Sequence, residues 1–313
     1  MNANLWPDID FNTWKDTLAT VHRWVQIIGK IRLKSMPWLN HSWHVTLYVT
    51  PKGLSTGSMP FASGIFEIEF NFHESLLTIT TSNNIQQEVK LYPRTVADFY
   101  TEVFDKLRQA GINLTIHQAP NEIETAIPFE KDNVHKTYNK EQMLNFWQAL
   151  VHVHNVFTKF RATFRGKCSP VHFFWGAFDL AVTRFSGLIA PEHPGGAPNM
   201  PLHVMQEAYS HEVSSCGFWP GSDAFPNAAF YAYCYPTPAA FAEQPVEPQE
   251  AFYSKEMGEF FLLYDIVRKA SNPEKILMQF LNSTYKASAV TGNWNRDLLE
   301  CDLTPFERSK RIK

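Results

Sequence analysis

Residues 167–187 read KCSPVHFFWGAFDLAVTRFSG, and they place three ionisable side chains, His172, Asp179 and Arg184, among consecutive large apolar residues. A charged group that is taken out of water must find a partner, or its pKa must shift until the group is neutral. Side chains with shifted pKa values are concentrated at catalytic and ligand-binding sites. The stretch therefore predicts a functional site, and the flanking segments indicate what surrounds it.

The flanking segments alternate between helical and extended patterns. Apolar residues recur at helical spacing over residues 12–28, and a second long helix opens at Asn139, which with Gln142 resembles a capping box. Between them, three short stretches alternate apolar and polar residues across polar turns, as antiparallel strands do: 66–72, 76–80 and 85–91. The chain is thus predicted to be an α+β protein with antiparallel sheets and packed helices.

The remaining signals mark boundaries. Thr95 with Asp98 can cap a helix that ends near Gly111, and residues 112–117 are predicted to return as a strand. Asn272 followed by proline opens a C-terminal helix. The predicted organisation is one large domain made of two α+β halves, residues 1–120 and 133–313, joined by a proline-rich acidic connector, residues 121–132.

The two halves resemble each other under a shift of 133 positions. The shift lays Trp14 on Trp147 and Pro37 on Pro170, and it lays an alternating segment at 43–50, predicted to be a strand, on the central stretch. Chance matches in an aromatic-rich chain are the alternative to a duplication. The superposition predicts that Phe178, Leu180 and Val182 face the core, whereas Asp179 and Thr183 face the other side of the strand.

Asp179 is accordingly the leading candidate for a catalytic residue. Its predicted partners are His211, Glu212 and His172, since an imidazole and a carboxylate are the minimum set for acid/base catalysis. His172 and Asp179 would lie on opposite faces of one unbroken strand, and Gly176 is placed to introduce the turn that brings them together. A purely structural pair of Asp179 with Arg184 remains the alternative.

A metal site is a second interpretation of the same residues. His172, His211, Glu212 and His44 offer nitrogen and oxygen ligands that suit zinc, iron or manganese, but they lack a diagnostic spacing. The pair His41 and His44 is weak evidence, because a separation of three residues puts two side chains on opposite faces of a strand.

Aromatic residues make up 14% of the chain, and those beside polar groups suit the wall of a cleft. Arg184 would hold an anionic group of a substrate. The other predicted substrate-binding residues are His44, Tyr48, Trp43, Trp175 and Trp219, with Phe218 in the same wall.

Several classes of protein lose support. The formal charge of −3 is spread evenly, which gives no footprint for nucleic acid or a membrane surface. No apolar run reaches the length of a membrane span, and the four cysteines are widely spaced, so a cytoplasmic protein with reduced thiols is expected. Motifs for a nucleotide cofactor, a serine hydrolase or a zinc protease are missing from the sequence.

Four strings resemble an uncharacterised bacterial family that is classed only as a domain of unknown function: SPVHFFWGAFDLAVTRFSG, SHEVSSCGFWPG, NHSWHVTLYVT and DNVHKTYN. The resemblance implies a longer loop at residues 190–206 beside the site, and it carries no established activity. The residues that match its motif positions are His41, His44, His135, His172, Asp179, Arg184, His211 and Glu212.

Three functions fit these observations. The first is a small-molecule enzyme with an acid/base site, with or without a metal, in a cleft between the halves. The second is a binding module that holds a small ligand without chemistry, and the third is a structural or interaction protein whose histidines are satisfied in the core. Convergence of histidines from both halves with Asp179 at an open cavity would favour the first.

Overall fold

The computed structural model describes residues 6–306, and within them the predicted α+β class is confirmed. The α-helices are α1 Phe11–Ser35, α2 Val96–Gln109, α3 Lys140–Ala162, α4 Leu202–Ala208, α5 Tyr264–Lys269, α6 Pro273–Thr291 and α7 Arg296–Leu299. Short 3-10 turns lie at Asn40–Ser42, Phe129–Lys131 and Phe241–Glu243.

The strands form two antiparallel sheets of six strands each. The first contains β1 Tyr48–Val49, β2 Gly53–Ser55, β3 Met59–Phe61, β4 Gly64–Asn71, β5 Leu76–Thr81 and β6 Gln86–Lys90, in the order β1-β2-β4-β5-β6 with β3 also paired to β4. The second contains β7 His172–Phe174, β8 Asp179–Ile189, β9 His211–Trp219, β10 Ala229–Tyr235, β11 Phe252–Ser254 and β12 Glu259–Leu263, in the order β11-β12-β10-β9-β8-β7.

Side-chain caps fix where the long helices begin. Thr95 accepts a hydrogen bond from the backbone N–H of Asp98 at 3.0 Å, and Asn139 accepts one from Gln142 at 3.1 Å. Asn272 caps α6 in the same way. Each cap satisfies a backbone donor that the first turn of a helix leaves unpaired. The predicted starts of α2, α3 and α6 are thus confirmed, as is the meander of β4, β5 and β6.

One hydrophobic core runs through both halves. Phe146 of α3 stacks on Phe178 and Phe218 of the second sheet, and α1 contributes residues such as Trp14 and Val25. The two sheets approach each other where Leu47 and Phe173 exchange backbone hydrogen bonds of 2.9 and 2.7 Å. No helix within residues 6–306 is both long and apolar enough to cross a bilayer.

Two predicted strands are wrong. In the segment 43–50 only β1 is extended, because His41 and Ser42 have φ of 56° and 59° and turn the chain before Trp43. Residues 112–117 form no strand either; they follow α2 as irregular chain. Residues 112–117 pack their apolar side chains against the core without a ladder of backbone hydrogen bonds, whereas in 43–50 such a ladder begins only at Leu47.

The predicted duplication is not confirmed. A shift of 133 positions superposes α1 on α3, but it also lays the helix α2 on residues 229–242, which hold the strand β10. The hairpin of β11 and β12 was not predicted from the sequence. This hairpin completes one edge of the second sheet.

Candidate functional site

A cavity of about 700 Å³ lies on one face of the second sheet. Its floor is made by side chains of β8, β9, β10 and β12, and its walls carry Trp43, Trp175 and Trp219. Its volume falls in the range of sites that hold a small organic molecule. Because strands alternate their side chains, the same strands turn Leu180, Val182 and Phe218 into the core on the opposite face.

Asp179 stands on the floor of this cavity and is only 5% exposed. The turn before it is made by Gly176 and by Phe178, whose φ of 62° lets β7 and β8 form a tight hairpin. The hydroxyl of Tyr231 donates a hydrogen bond to its carboxyl group. Burial nevertheless outweighs this bond and raises the pKa of Asp179 to about 6.

Tyr231 reaches Asp179 because β9, the strand between them, has a glycine where the tyrosine side chain passes over it. Gly217 of β9 pairs with Tyr231 of β10 on one side and with Ala181 of β8 on the other. A β-carbon at Gly217 would lie 2.3 Å from the phenol oxygen of Tyr231. The absence of a side chain at this position therefore lets the tyrosine ring lie across β9.

Two further carboxyl groups border the same cavity. Glu122 comes from the loop between the halves, and Glu259 opens β12. Burial, reinforced by the nearby charge of Asp179, raises the pKa of each glutamate to about 7. Neither forms an ion pair within residues 6–306. Near neutral pH the cavity thus holds acid groups in both protonated and ionised forms.

Three polar side chains of α1 bind the backbone and side chains next to Glu122. They are His22, Gln26 and Lys30, which follow one another at intervals of four residues along one face of the helix. Gln26 exchanges hydrogen bonds with the backbone of Asn121 at 2.9 and 2.8 Å, and the ammonium group of Lys30 binds the Asn121 side chain. Burial lowers the pKa of Lys30 to about 8.

His22 binds the hairpin turn on which Glu122 packs. Its Nε2–H donates to the carbonyl oxygens of Trp175 and Gly176 at 3.0 and 2.8 Å, and burial lowers its pKa to about 4, so the ring is neutral. A β-carbon at Gly176 would lie 1.9 Å from a carboxylate oxygen of Glu122. The carboxyl group is therefore packed directly on the hairpin turn that leads to Asp179.

Residues 197–208, here termed the cover segment, lie over the cavity and line it with Met200, Val204 and Met205. The backbone N–H of Glu122 donates to Pro198 at 2.8 Å, and at the far end the ring of His41 donates to the carbonyls of Glu207 and Ala208. Much of the cover segment falls within residues 190–206, where the sequence resemblance implied a longer loop.

The structure separates several predicted site residues from the cavity. His172 is fully buried beneath Trp43 and Phe174, neither of its ring nitrogens has a hydrogen-bond partner, and burial with two nearby arginines lowers its pKa to about 3. His44 accepts a hydrogen bond from Leu39 and packs on Trp38. Tyr48 lies in β1 under the guanidinium group of Arg32.

Arg184 cannot bind a substrate in this cavity, because it lies on the core face of β8. Its guanidinium group donates to the backbone carbonyl of Phe160 and, at 2.9 Å, to Thr163, and it lies 4.4 Å from the ring centroid of Tyr285. It does not pair with Asp179, so the structural Asp–Arg pair is also wrong. Phe218, predicted as part of the wall, is fully buried in the core.

The predicted acid/base and metal partners do not converge. His211 and Glu212 are adjacent on β9 and point to opposite faces; His211 lies near His41, whereas Glu212 lies beside Cys234 and Ser288. In the part of the chain that the structure describes, no group of three or more histidine, cysteine and acidic side chains is arranged to hold a metal ion. His135, a position implied by the resemblance, binds the buried carboxylate of Asp132 away from the cavity.

The sequence analysis missed Glu122, Glu259 and Lys30. The first lay in the predicted connector and the second in an unanticipated hairpin, where nothing in a single sequence distinguishes a glutamate in a cavity from one in water. A signal existed only for Lys30, because His22, Gln26 and Lys30 form a polar row along an otherwise apolar helix.

Comparison with known proteins agrees with the resemblance seen in the motifs. A family model described as "Family of unknown function (DUF5996)" matches residues 6–301. No curated protein and no solved structure matches the chain.

Proposed function

The chain belongs to DUF5996, a family of unknown function, and from the geometry of its cavity we propose that it is a small-molecule enzyme that works by proton transfer. The observation that carries the proposal is Asp179, buried on the cavity floor, bonded to Tyr231 and accompanied by Glu122 and Glu259. The ionised Asp179 accepts a proton from the substrate. A protonated glutamate returns one at another atom. Asp179 then releases its proton to solvent and the glutamate takes one up, which restores both groups for the next turnover.

The pKa directions support this division of roles. A catalytic acid or base works best when its pKa lies near the working pH. With pKa values of about 6 for Asp179 and about 7 for each glutamate, the rate rises as Asp179 loses its proton near pH 6. It falls again as the glutamates lose theirs near pH 7. The optimum therefore lies between these values.

The test is conversion of a defined mixture of small metabolites, followed by mass spectrometry. Asp179→Asn removes the base but keeps the shape of the side chain, and we expect it to slow the conversion by a factor on the order of 100 or more. Asp16→Asn, on the exposed face of α1, is the matched control and should leave the rate unchanged. An Asp179→Asn variant that converts the same compound at the wild-type rate would contradict the proposal.

A binding module without chemistry is the second candidate. It is favoured by one observation, that none of the histidines predicted for catalysis, His172 and His211, lines the cavity. A compound from the same mixture that stays bound to the purified chain and is recovered unchanged at every pH would support this alternative.

A further inference from the structure

Outside the cavity, the fold provides a buried carboxylate with a cationic partner. Residues 6–306 provide no such partner for the carboxyl groups that line the cavity. Asp132 is fully buried, forms an ion pair with Arg23 at 3.2 Å and is hydrogen-bonded to Nδ1 of His135 at 2.8 Å. Asp179, Glu122 and Glu259 have no ion pair of this kind among residues 6–306, and all three line the same cavity. Unpaired buried carboxyl groups are costly, because burial penalises their charged form.

Lys30 borders the cavity but does not supply the missing charge. Its ammonium group contacts the side chain of Asn121 and lies 5.7 Å from the ring centroid of Trp175. The pKa values of Glu122 and Glu259 remain raised with this lysine in place, through burial and the charge of Asp179. The carboxyl groups are thus left available to a cation that comes from outside the chain.

The walls favour the same kind of ligand. Trp43, Trp175 and Trp219 line the cavity, together with Tyr231 and Tyr233 from its floor. The face of an aromatic ring attracts a cation, and the attraction grows when water is excluded. Aromatic walls around unpaired carboxyl groups are therefore complementary to an organic cation with an apolar body.

We propose that the ligand of this cavity carries a protonated amine, which lies in the space bordered by Asp179, Glu122 and Glu259. The proposal rests on the proposed function of the cavity as a small-molecule site and adds the chemical class of the molecule. An ammonium group donates hydrogen bonds to carboxylates, whereas a quaternary cation cannot. The cavity volume of about 700 Å³ leaves room for a body much larger than the amine itself.

Three compounds with one body and different charges test this inference: 3-phenylpropylamine, 3-phenylpropan-1-ol and 3-phenylpropanoate. Calorimetric titration at pH 7 should show that the amine binds at least roughly tenfold more tightly than the alcohol, and that the carboxylate binds most weakly. Since the amine favours the ionised carboxyl groups, its binding should also release protons, seen as a heat that depends on the buffer.

Variants that replace a glutamate by glutamine show which carboxyl groups bind the amine. Glu122→Gln and Glu259→Gln should each weaken binding of the amine by about tenfold and leave binding of the alcohol unchanged. Glu256→Gln is the matched control, because Glu256 lies three residues before Glu259 and is exposed in the turn of the same hairpin. These binding measurements need no knowledge of the reaction.

The outcomes separate this inference from the proposed function. Equal binding of amine and alcohol, or preference for the carboxylate, would overturn the amine and leave a proton-transfer enzyme with a different substrate. Amine binding that persists in a variant lacking all three carboxylates would overturn it as well. Conversely, conversion that proceeds at the wild-type rate in Asp179→Asn would end the proposed function while a clear amine preference stood.

Discussion

The two faces of the second sheet treat buried charge in opposite ways. On the core face, Arg184 is 2% exposed, and its guanidinium group is bonded to Phe160 and Thr163 and surrounded by aromatic rings. On the cavity face, Asp179 is 5% exposed, has one hydroxyl partner and shares its cavity with two more acids. Two charges five positions apart on one strand thus differ: Arg184 is held by partners from the fold, whereas Asp179 has no cationic partner among residues 6–306.

The difference teaches how to separate structural from functional charges. A charge with hydrogen-bond partners from the fold contributes to stability, and its loss exposes those partners. A charge without them raises the free energy of the folded chain, and such a cost is typical of sites where binding or chemistry needs it. The sequence alone placed both residues in one candidate site, whereas their faces assign them to different tasks.

The largest effect should come from the core face. Arg184→Met keeps the apolar stem but removes the hydrogen bonds that the guanidinium group donates to the Phe160 carbonyl and the Thr163 hydroxyl. We expect the free energy of unfolding to fall by about 3 kcal/mol, because a hydrogen bond from a charged group contributes about 1.5–3 kcal/mol. Denaturant unfolding measures the loss. Arg108→Met is the control, because Arg108 is exposed in a surface ion pair on α2, and such pairs contribute about 0–1 kcal/mol.

The same variant sharpens the comparison. When Arg184→Met is folded, its preference for an amine over the matched alcohol should equal that of the wild-type chain, since the guanidinium group lies on the other side of the sheet. A changed preference would contradict the assignment of Arg184 to the core alone.

A smaller effect is expected at the crossing of Tyr231 over β9. Gly217→Ala places a methyl group in the position of the tyrosine ring, so the ring must shift, at an expected cost of about 1–3 kcal/mol in the free energy of unfolding. The shift should break the hydrogen bond to Asp179. Because that bond lowers the pKa of Asp179, the rise of the rate with pH should move above pH 6.

Tyr231→Phe removes the same hydrogen bond without moving the ring, and it should reproduce the change in pH dependence with little loss of stability. If Gly217→Ala were destabilised but kept the wild-type pH profile, Tyr231 would not be the partner that controls Asp179.

Much of the fold was readable from the sequence because its signals are local. The caps at Thr95, Asn139 and Asn272 and the alternation of β4 to β6 need no distant contact. The alternation around Asp179 also predicted which of its neighbours face the core. The prediction of one strand over residues 43–50 was wrong, because His41 and Ser42 have positive φ and turn the chain just before this alternating segment.

The site was only partly readable, because its members are brought together by contacts distant in sequence. Glu122 depends on a polar row of α1 that begins at His22, 100 positions earlier in the chain. It also depends on the hairpin turn at Gly176. Glu259 depends on the register of β12 with β10. By contrast Asp179 could be found, since a carboxylate that interrupts an apolar strand stands out in one dimension.

The most direct test of the central claim, that the carboxyl groups of the cavity are unpaired in the ligand-free chain, is a 13C NMR titration of their side-chain carbons. Asp179→Asn, Glu122→Gln and Glu259→Gln would identify the signals. We expect pKa values of about 6 for Asp179 and about 7 for the two glutamates, above the ordinary 3.8 and 4.5. The folded chain then binds more protons than the unfolded chain between about pH 4 and 7, so stability from these groups is present below pH 4 and lost as the pH rises through 7. Three values at or below the ordinary ones would show that the charges are already paired, and would contradict the account.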